Sequence, residues 1–188
     1  MRIVAGSARG RRLEVPKGVG VRPTAGSIRE ALFSSLGPVV QQAVVLDAFA
    51  GSGALGLEAL SRGAQRAVFV EKHRGHLAVL RRNIERCGFA ALSDVVSGDV
   101  LAFLAHNPKG HCFDLIFLDP PYGASPLESA LARIAAGRWL SAGGIIVAEH
   151  DAGHLPALPT ALHFTRTRTY GNTALSTLAL QGAAHEEA

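Results

Sequence analysis

The chain has 188 residues, 48% of them hydrophobic and 18% charged, which fits one globular domain with a full core. Its two cysteines, Cys87 and Cys112, follow neither metal-ligand spacing nor a disulfide framework, so a reducing compartment is the natural reading. The start, MRIVAGSARGRR, lacks a signal-like apolar core, and no run approaches the roughly 20 apolar residues of a membrane span; a cytoplasmic protein with no membrane partner is expected.

Charge is placed unevenly. Residues 1–30 hold seven bases (Arg2, Arg9, Arg11, Arg12, Lys17, Arg22 and Arg29) against Glu14 and Glu30, so the whole formal excess of +4 lies in this stretch. Clustered Lys and Arg release counterions from phosphates, which makes nucleic acid the leading partner for such an arm. A solvated basic face is the plainer alternative.

In chain order, RIVAG and RRLEVP read as two short strands around a glycine-rich turn. Thr24 is placed to cap a helix whose Ile28, Leu32, Phe33 and Leu36 share a face. From Val44 a βαβα rhythm sets in: VVLDAF, GALGLEALSR, AVFVE, HLAVLRRNIERCG, DVVSGD, VLAFLAH, FDLIFLD, PLESALARIAAGRWL and GGIIVAEH. Apolar strands between helices imply a parallel sheet covered on both faces. HFTRTRTYG and ALSTLALQG alternate as an antiparallel hairpin would. The division expected is a basic β-hairpin arm over 1–22, the catalytic domain over 23–182 and a frayed tail over 183–188.

Asp47-Ala48-Phe49-Ala50-Gly51-Ser52-Gly53-Ala54-Leu55-Gly56 follows a strand and opens a helix. Glycines there let the backbone turn sharply and approach a ligand, and helix-start amides favour an anionic group. Gly51, Gly53 and Gly56 match the dinucleotide fingerprint, with Glu71 about 20 residues on. A carboxylate ending the second strand suits the ribose of NAD or of S-adenosylmethionine alike, so this motif leaves the cofactor open.

Asp119-Pro120-Pro121-Tyr122, after the apolar strand FDLIFL, decides between them. Two prolines hold an extended backbone that presents Asp119 and a neighbouring carbonyl as paired acceptors. The exocyclic amine of a base fits between two acceptors, which offset the delocalisation of its lone pair into the ring. Tyr122 offers a stacking face, worth roughly 1–3 kcal/mol per base.

These blocks resemble the RsmD family of 16S ribosomal RNA guanine-N2 methyltransferases. The resemblance spans nearly the whole chain: RIVAGSARGRRLEVPKG, Arg22-Pro23-Thr24, Arg29-Glu30-Ala31-Leu32-Phe33, LDAFAGSGALGLEALSRGA, VFVEK, FDLIFLDPPY, GGIIVAEH and Tyr170-Gly171. It implies a Rossmann-like class I S-adenosylmethionine-dependent fold, α/β, with a seven-stranded mostly parallel sheet, a C-terminal antiparallel hairpin and a small N-terminal β-hairpin extension. By the same resemblance Asp47, Ala50, Gly51, Ser52 and Gly53 surround the methionine end of the cofactor. Glu71 holds its ribose, Asp99 meets the adenine, Lys72, Val100 and Asp119 also belong to the cofactor site, and Asp119 to Tyr122 take the guanine. Arg22 and Thr24 close over cofactor or RNA. Arg2, Arg9, Arg11, Arg12, Lys17, Arg22, Arg166 and Arg168 face the RNA, and the partner is the small ribosomal subunit or its 16S rRNA, met by a monomer.

The family commonly reads Tyr-Gly-Lys-Thr-Lys-Leu-Ser near its end, where this chain has Asn172 and Ala174 in place of the lysines. The RNA footprint then leans on Arg166, Arg168 and the arm. His73, His76, His150 and His154 lack metal or acid–base spacing and read as surface or structural, so no metal is expected. Rival readings are an adenine-N6 DNA methyltransferase, for which a target-recognition region is missing, an NAD-dependent oxidoreductase, which leaves the Asp-Pro-Pro-Tyr loop unexplained, and a non-catalytic ribosome-assembly factor, which leaves Asp47, Glu71 and Asp119 unexplained.

Overall fold

A computed structural model describes residues 1–16, 26–107, 110–121 and 124–182. The elements are α1 (Gly26–Leu36), β1 (Val44–Asp47), α2 (Ala54–Ser61), β2 (Arg66–Glu71), α3 (Arg74–Cys87), β3 (Ser93–Ser97), α4 (Val100–Ala105), β4 (Phe113–Leu118), α5 (Ala124–Ala136), β5 (Leu140–Asp151), β6 (Leu162–Tyr170) and β7 (Thr173–Leu180). The seven strands form one sheet in the order β3-β2-β1-β4-β5-β7-β6. The first five are parallel, and β7 runs antiparallel to both β5 and β6, as the alternation of the last two segments predicts. This is the Rossmann-like class I methyltransferase architecture.

Periodicity explains the layers. β1 and β4 are apolar on both sides because each face of the sheet meets helices. One core joins α1, α2 and α3 to one face through Leu32, Phe33, Leu57, Phe69, Leu80 and Phe117. A second core joins α4 and α5 to the other through Leu104, Phe113, Leu131, Ile134 and Trp139. In α3, Leu77, Leu80, Ile84 and Cys87 recur at helical spacing on the buried side. That helix stops at Gly88, whose φ of 79° allows Phe89 N–H to bond the Ile84 carbonyl at 3.0 Å.

The first residues turn back on themselves, but the two anticipated strands reduce to a single antiparallel bridge between Arg2 and Arg12. The physical reason lies in α2. Backbone amides of Val4 and Ala5 donate to the Glu58 carboxylate at 2.8 and 3.0 Å, and those of Ser7 and Ala8 donate to Ser61. Groups that would extend a ladder are engaged by a helix instead, while Ile3, Ala8 and Leu13 enter the first core.

Arg29 departs from the charge reading. It is 1% exposed, paired with Glu58 at 3.5 Å and bonded to the Arg2 carbonyl. Its charge therefore belongs to the interior and adds nothing to a phosphate-facing surface.

Candidate active site

Chain order sends β1, β2 and β3 outward to one side of the sheet and returns β4 beside β1. Such a reversal opens a crevice at the carboxyl ends of the two central strands, where open α/β sheets bind ligands. Asp47 ends β1 and Asp119 directly follows β4, so the two flank this crevice. Glu71 ends β2, and Glu149 lies near the end of β5, level with Asp119 because Leu118 pairs with Ala148. Four neighbouring strands thus deliver four carboxylates to one edge.

Asp47 is 3% exposed and accepts the Gly56 amide at 2.9 Å. Burial pushes its carboxyl up to about 7, against the opposing effect of that hydrogen bond, and the Glu71 charge adds to the rise. Asp119 is also held well above the usual carboxylate range, first by burial and then by the charges of Glu149 and Asp47. Burial and mutual repulsion thus favour the neutral forms of these two carboxyls, and a cationic ligand between them would favour their ionised forms.

The β1–α2 loop builds the other wall. Phe49 has a φ of 142° and Gly53 one of 79°, so a bulky residue sits strained in backbone space that favours glycine. A Cβ on Gly53 would lie 2.4 Å from a Leu80 methyl, and one on Gly56 would lie 2.4 Å from the Phe69 ring. Gly56 is demanded by close packing of α2 on the sheet and Gly53 by the approach of α3. Gly51 donates its amide to Glu71 at 2.9 Å, and the same carboxylate accepts from His73 N–H at 2.8 Å. Ser52 is fixed from behind, its carbonyl accepting a hydrogen bond from the Asn83 side chain at 2.9 Å.

Further along the edge, Asp99 caps α4 by accepting the Leu101 and Ala102 amides, with Lys72 Nζ 3.8 Å away. Val100 is buried beneath it, and Ala50 is buried in the loop. The edge therefore gathers Asp47, Ala50, Gly51, Ser52, Gly53, Glu71, Lys72, Asp99, Val100, Asp119, Pro120 and Pro121. Lys17, Arg22, Thr24 and Tyr122 lie outside the described residues. Arg2, Arg9, Arg11 and Arg12 are exposed on the N-terminal segment. Arg166 and Arg168 stand apart from these on β6, and Ala174 is buried. Among the described residues no group of three or more His, Cys, Asp or Glu side chains could hold a metal ion, and no helix is long and apolar enough to cross a membrane.

Three residues of this neighbourhood escape a sequence reading. Glu149 is hidden in a strand that reads as apolar. Asn83 is one polar residue in an amphipathic helix, and it is wholly buried, accepting the Glu14 amide as it donates to Ser52. Glu58 carries the one usable signal, a charge inside the apolar run ALGLEALS.

Fold, crevice and carboxylate edge together define a class I methyltransferase architecture. A family model described as conserved hypothetical protein 95 matches residues 1–179. Ribosomal RNA small subunit methyltransferase D of Escherichia coli K12 is 38% identical over 175 residues, covering 93% of this chain and 87% of that protein. The solved structure of Escherichia coli yhhF superimposes with a TM-score of 0.86 at 36% identity, over 95% of this chain and 96% of that one. An RNA methyltransferase from Salinibacter ruber, solved with S-adenosyl-L-homocysteine, shares the fold at a TM-score of 0.66 and 18% identity, over 88% of this chain and 98% of that one. The chain belongs to the RsmD family.

Proposed function

We propose that this protein transfers a methyl group from S-adenosylmethionine to the exocyclic N2 amine of a guanine in 16S ribosomal RNA of the small subunit. The observation that carries the proposal is the placement of Asp119 directly after β4, beside Asp47 at the end of the neighbouring β1, at the crevice where the strand order reverses. Family membership and the small-subunit relative support the ribosomal substrate.

The residues present fit the cofactor. Buried Asp47 at the crevice complements the cationic methionine end, and Glu71 and Asp99 at the neighbouring strand ends suit ribose and adenine. When bound, the cofactor supplies an electrophilic methyl group. Asp47 and the loop of Ala50 to Gly53 hold the methionine end, Glu71 and Lys72 the ribose, and Asp99 and Val100 the adenine. Thr24 and Arg22 close over the ligand.

Asp119 would accept a hydrogen bond from the guanine amine and a carbonyl of the Pro120–Pro121 segment would accept the other, which would orient the amine and offset the delocalisation of its lone pair into the ring. Tyr122 stacks on the base. Positioning of this kind contributes roughly 7–11 kcal/mol when two reactants meet in a near-attack geometry. Asp119 has no need to take the proton during transfer, because the methylated amine is acidic enough to lose it to water. No covalent link to the enzyme forms. Exposed Arg2, Arg9, Arg11 and Arg12, with Lys17, Arg166 and Arg168, contact RNA phosphates, and a monomer acts in the cytoplasm.

Asp119→Ala tests the assignment. Calorimetric binding of S-adenosylmethionine should survive in this variant while transfer of labelled methyl to RNA falls at least about 10³-fold, the scale of removing a positioned catalytic group. Retained turnover would overturn the role given to Asp119.

A further inference from the structure

A shallow groove lies on the sheet face that carries α1. Leu32 and Ser35 of α1 form one side, Leu175 of β7 its floor, and Arg166, Arg168 and Tyr170 of β6 the other side. A β-bulge creates it. Phe164 pairs with Leu178 and Arg166 with Thr177, so Thr165 is the extra residue. Strict alternation would put Phe164 and Arg166 on the same face. Phe164 instead packs against the α4–α5 core, while Tyr170 packs against the α1 core. The bulge therefore turns both arginines and the tyrosine toward α1.

Among the described residues, neither guanidinium has a hydrogen-bond or ion-pair partner. Two uncompensated positive charges beside Leu32, Leu175 and a half-buried tyrosine make a mixed site. The guanidinium forks match a phosphate. The apolar floor and aromatic edge match the face of a base, which a paired duplex keeps inside its stack.

Register fixes the distance from the crevice. Arg168 pairs with Leu175, Leu175 with Glu149, and Glu149 is level with Asp119. Three strand spacings separate Arg168 from Asp119, about 14 Å at ~4.8 Å each. At a rise of ~3.4 Å per stacked nucleotide this spans about four positions, and fewer in a stretched strand.

We propose that this groove binds an unpaired nucleotide of the RNA, two to four positions from the target base, with its phosphate on Arg166 and Arg168 and its base against Tyr170 and Leu175. This inference rests on the RNA reading above. It makes the enzyme select a target flanked by unpaired sequence.

The test is equilibrium binding of a labelled single-stranded RNA oligonucleotide, and of the same strand in a duplex, across a salt series. Wild type is compared with the double variant R166Q/R168Q. For single strands the plot of log K against log salt should become shallower by about 0.7 in the double variant, the contribution of the one phosphate that the two guanidiniums share. The duplex should change less, and S-adenosylmethionine binding should be unaltered. An unchanged single-strand slope would overturn the proposal, as would an equal loss on the duplex, which marks a general basic surface. A wild-type protein that neither binds RNA nor methylates it would instead remove the functional reading beneath.

Discussion

Asp47 shows how one side chain can be tuned against its own fold. Its carboxyl is raised from 3.8 to about 7 by burial, so the charged form is less favourable in the folded chain than in the unfolded one. By linkage, the folded state gains from this group below about pH 4 and loses that advantage as pH rises toward 7. The loss approaches roughly 4 kcal/mol for a shift of this size. Asp47→Asn keeps an acceptor for the Gly56 amide without the buried charge, so urea unfolding should show the variant gaining on wild type between pH 4 and 8. A gap independent of pH would contradict the shifted carboxyl. The same variant should bind S-adenosylmethionine more weakly, since the charge that burdens the empty fold complements a cation.

Asp119 carries the corresponding prediction for activity. In the proposed mechanism it acts as a carboxylate, and burial first, then the charges of Glu149 and Asp47, hold its pKa up, so the acid limb of kcat/KM should lie above the range of an ordinary aspartate. Glu149→Gln removes one of the charges that raise it, and the limb should then move to lower pH. Methyl transfer measured across pH for both proteins checks the direction; no movement would detach Glu149 from the site.

At the scale of elements, the β1–α2 loop and α3 act as one support. Gly56→Ala places a Cβ against the Phe69 ring and should lower stability by roughly 1–3 kcal/mol, the usual range for overpacking, measured by denaturant unfolding. Asn83 holds the Ser52 carbonyl and the Glu14 backbone at once. Asn83→Leu should raise the KM for S-adenosylmethionine more than it lowers kcat, because the residue positions the loop and does not touch reacting atoms. These two elements also show what is legible in a sequence. The glycine loop and the Asp-Pro-Pro-Tyr segment can be read because their chemistry lies in consecutive residues at a strand end. Asn83 and Glu149 cannot, because their meaning arises from partners brought close only by folding. The bulge at Thr165 was hidden for the same reason: it is fixed by pairing with β7, while the alternation of HFTRTRTY by itself points every even residue one way.

Across the whole molecule, the N-terminal segment is bound to the catalytic fold by a buried charge cluster. Glu58, wholly buried, accepts the Val4 and Ala5 amides and pairs with Arg29 and Arg62. The count of basic residues suggests an independent arm, yet Arg29 faces inward and Ile3 and Leu13 lie in the core. Removing one partner of a buried ion pair leaves an uncompensated charge, at a cost of roughly 3–5 kcal/mol. Glu58→Ala should therefore destabilise the entire protein by that order in thermal or urea unfolding, whereas loss of a detached arm would leave the core unaffected.

The central claim is tested most directly by incubating the protein with labelled S-adenosylmethionine and small ribosomal subunits from cells lacking this gene, then digesting the RNA to nucleosides. Label in N2-methylguanosine of 16S RNA, absent with Asp119→Ala, is the result predicted. Label in another nucleoside, or none in the presence of intact cofactor binding, would contradict it.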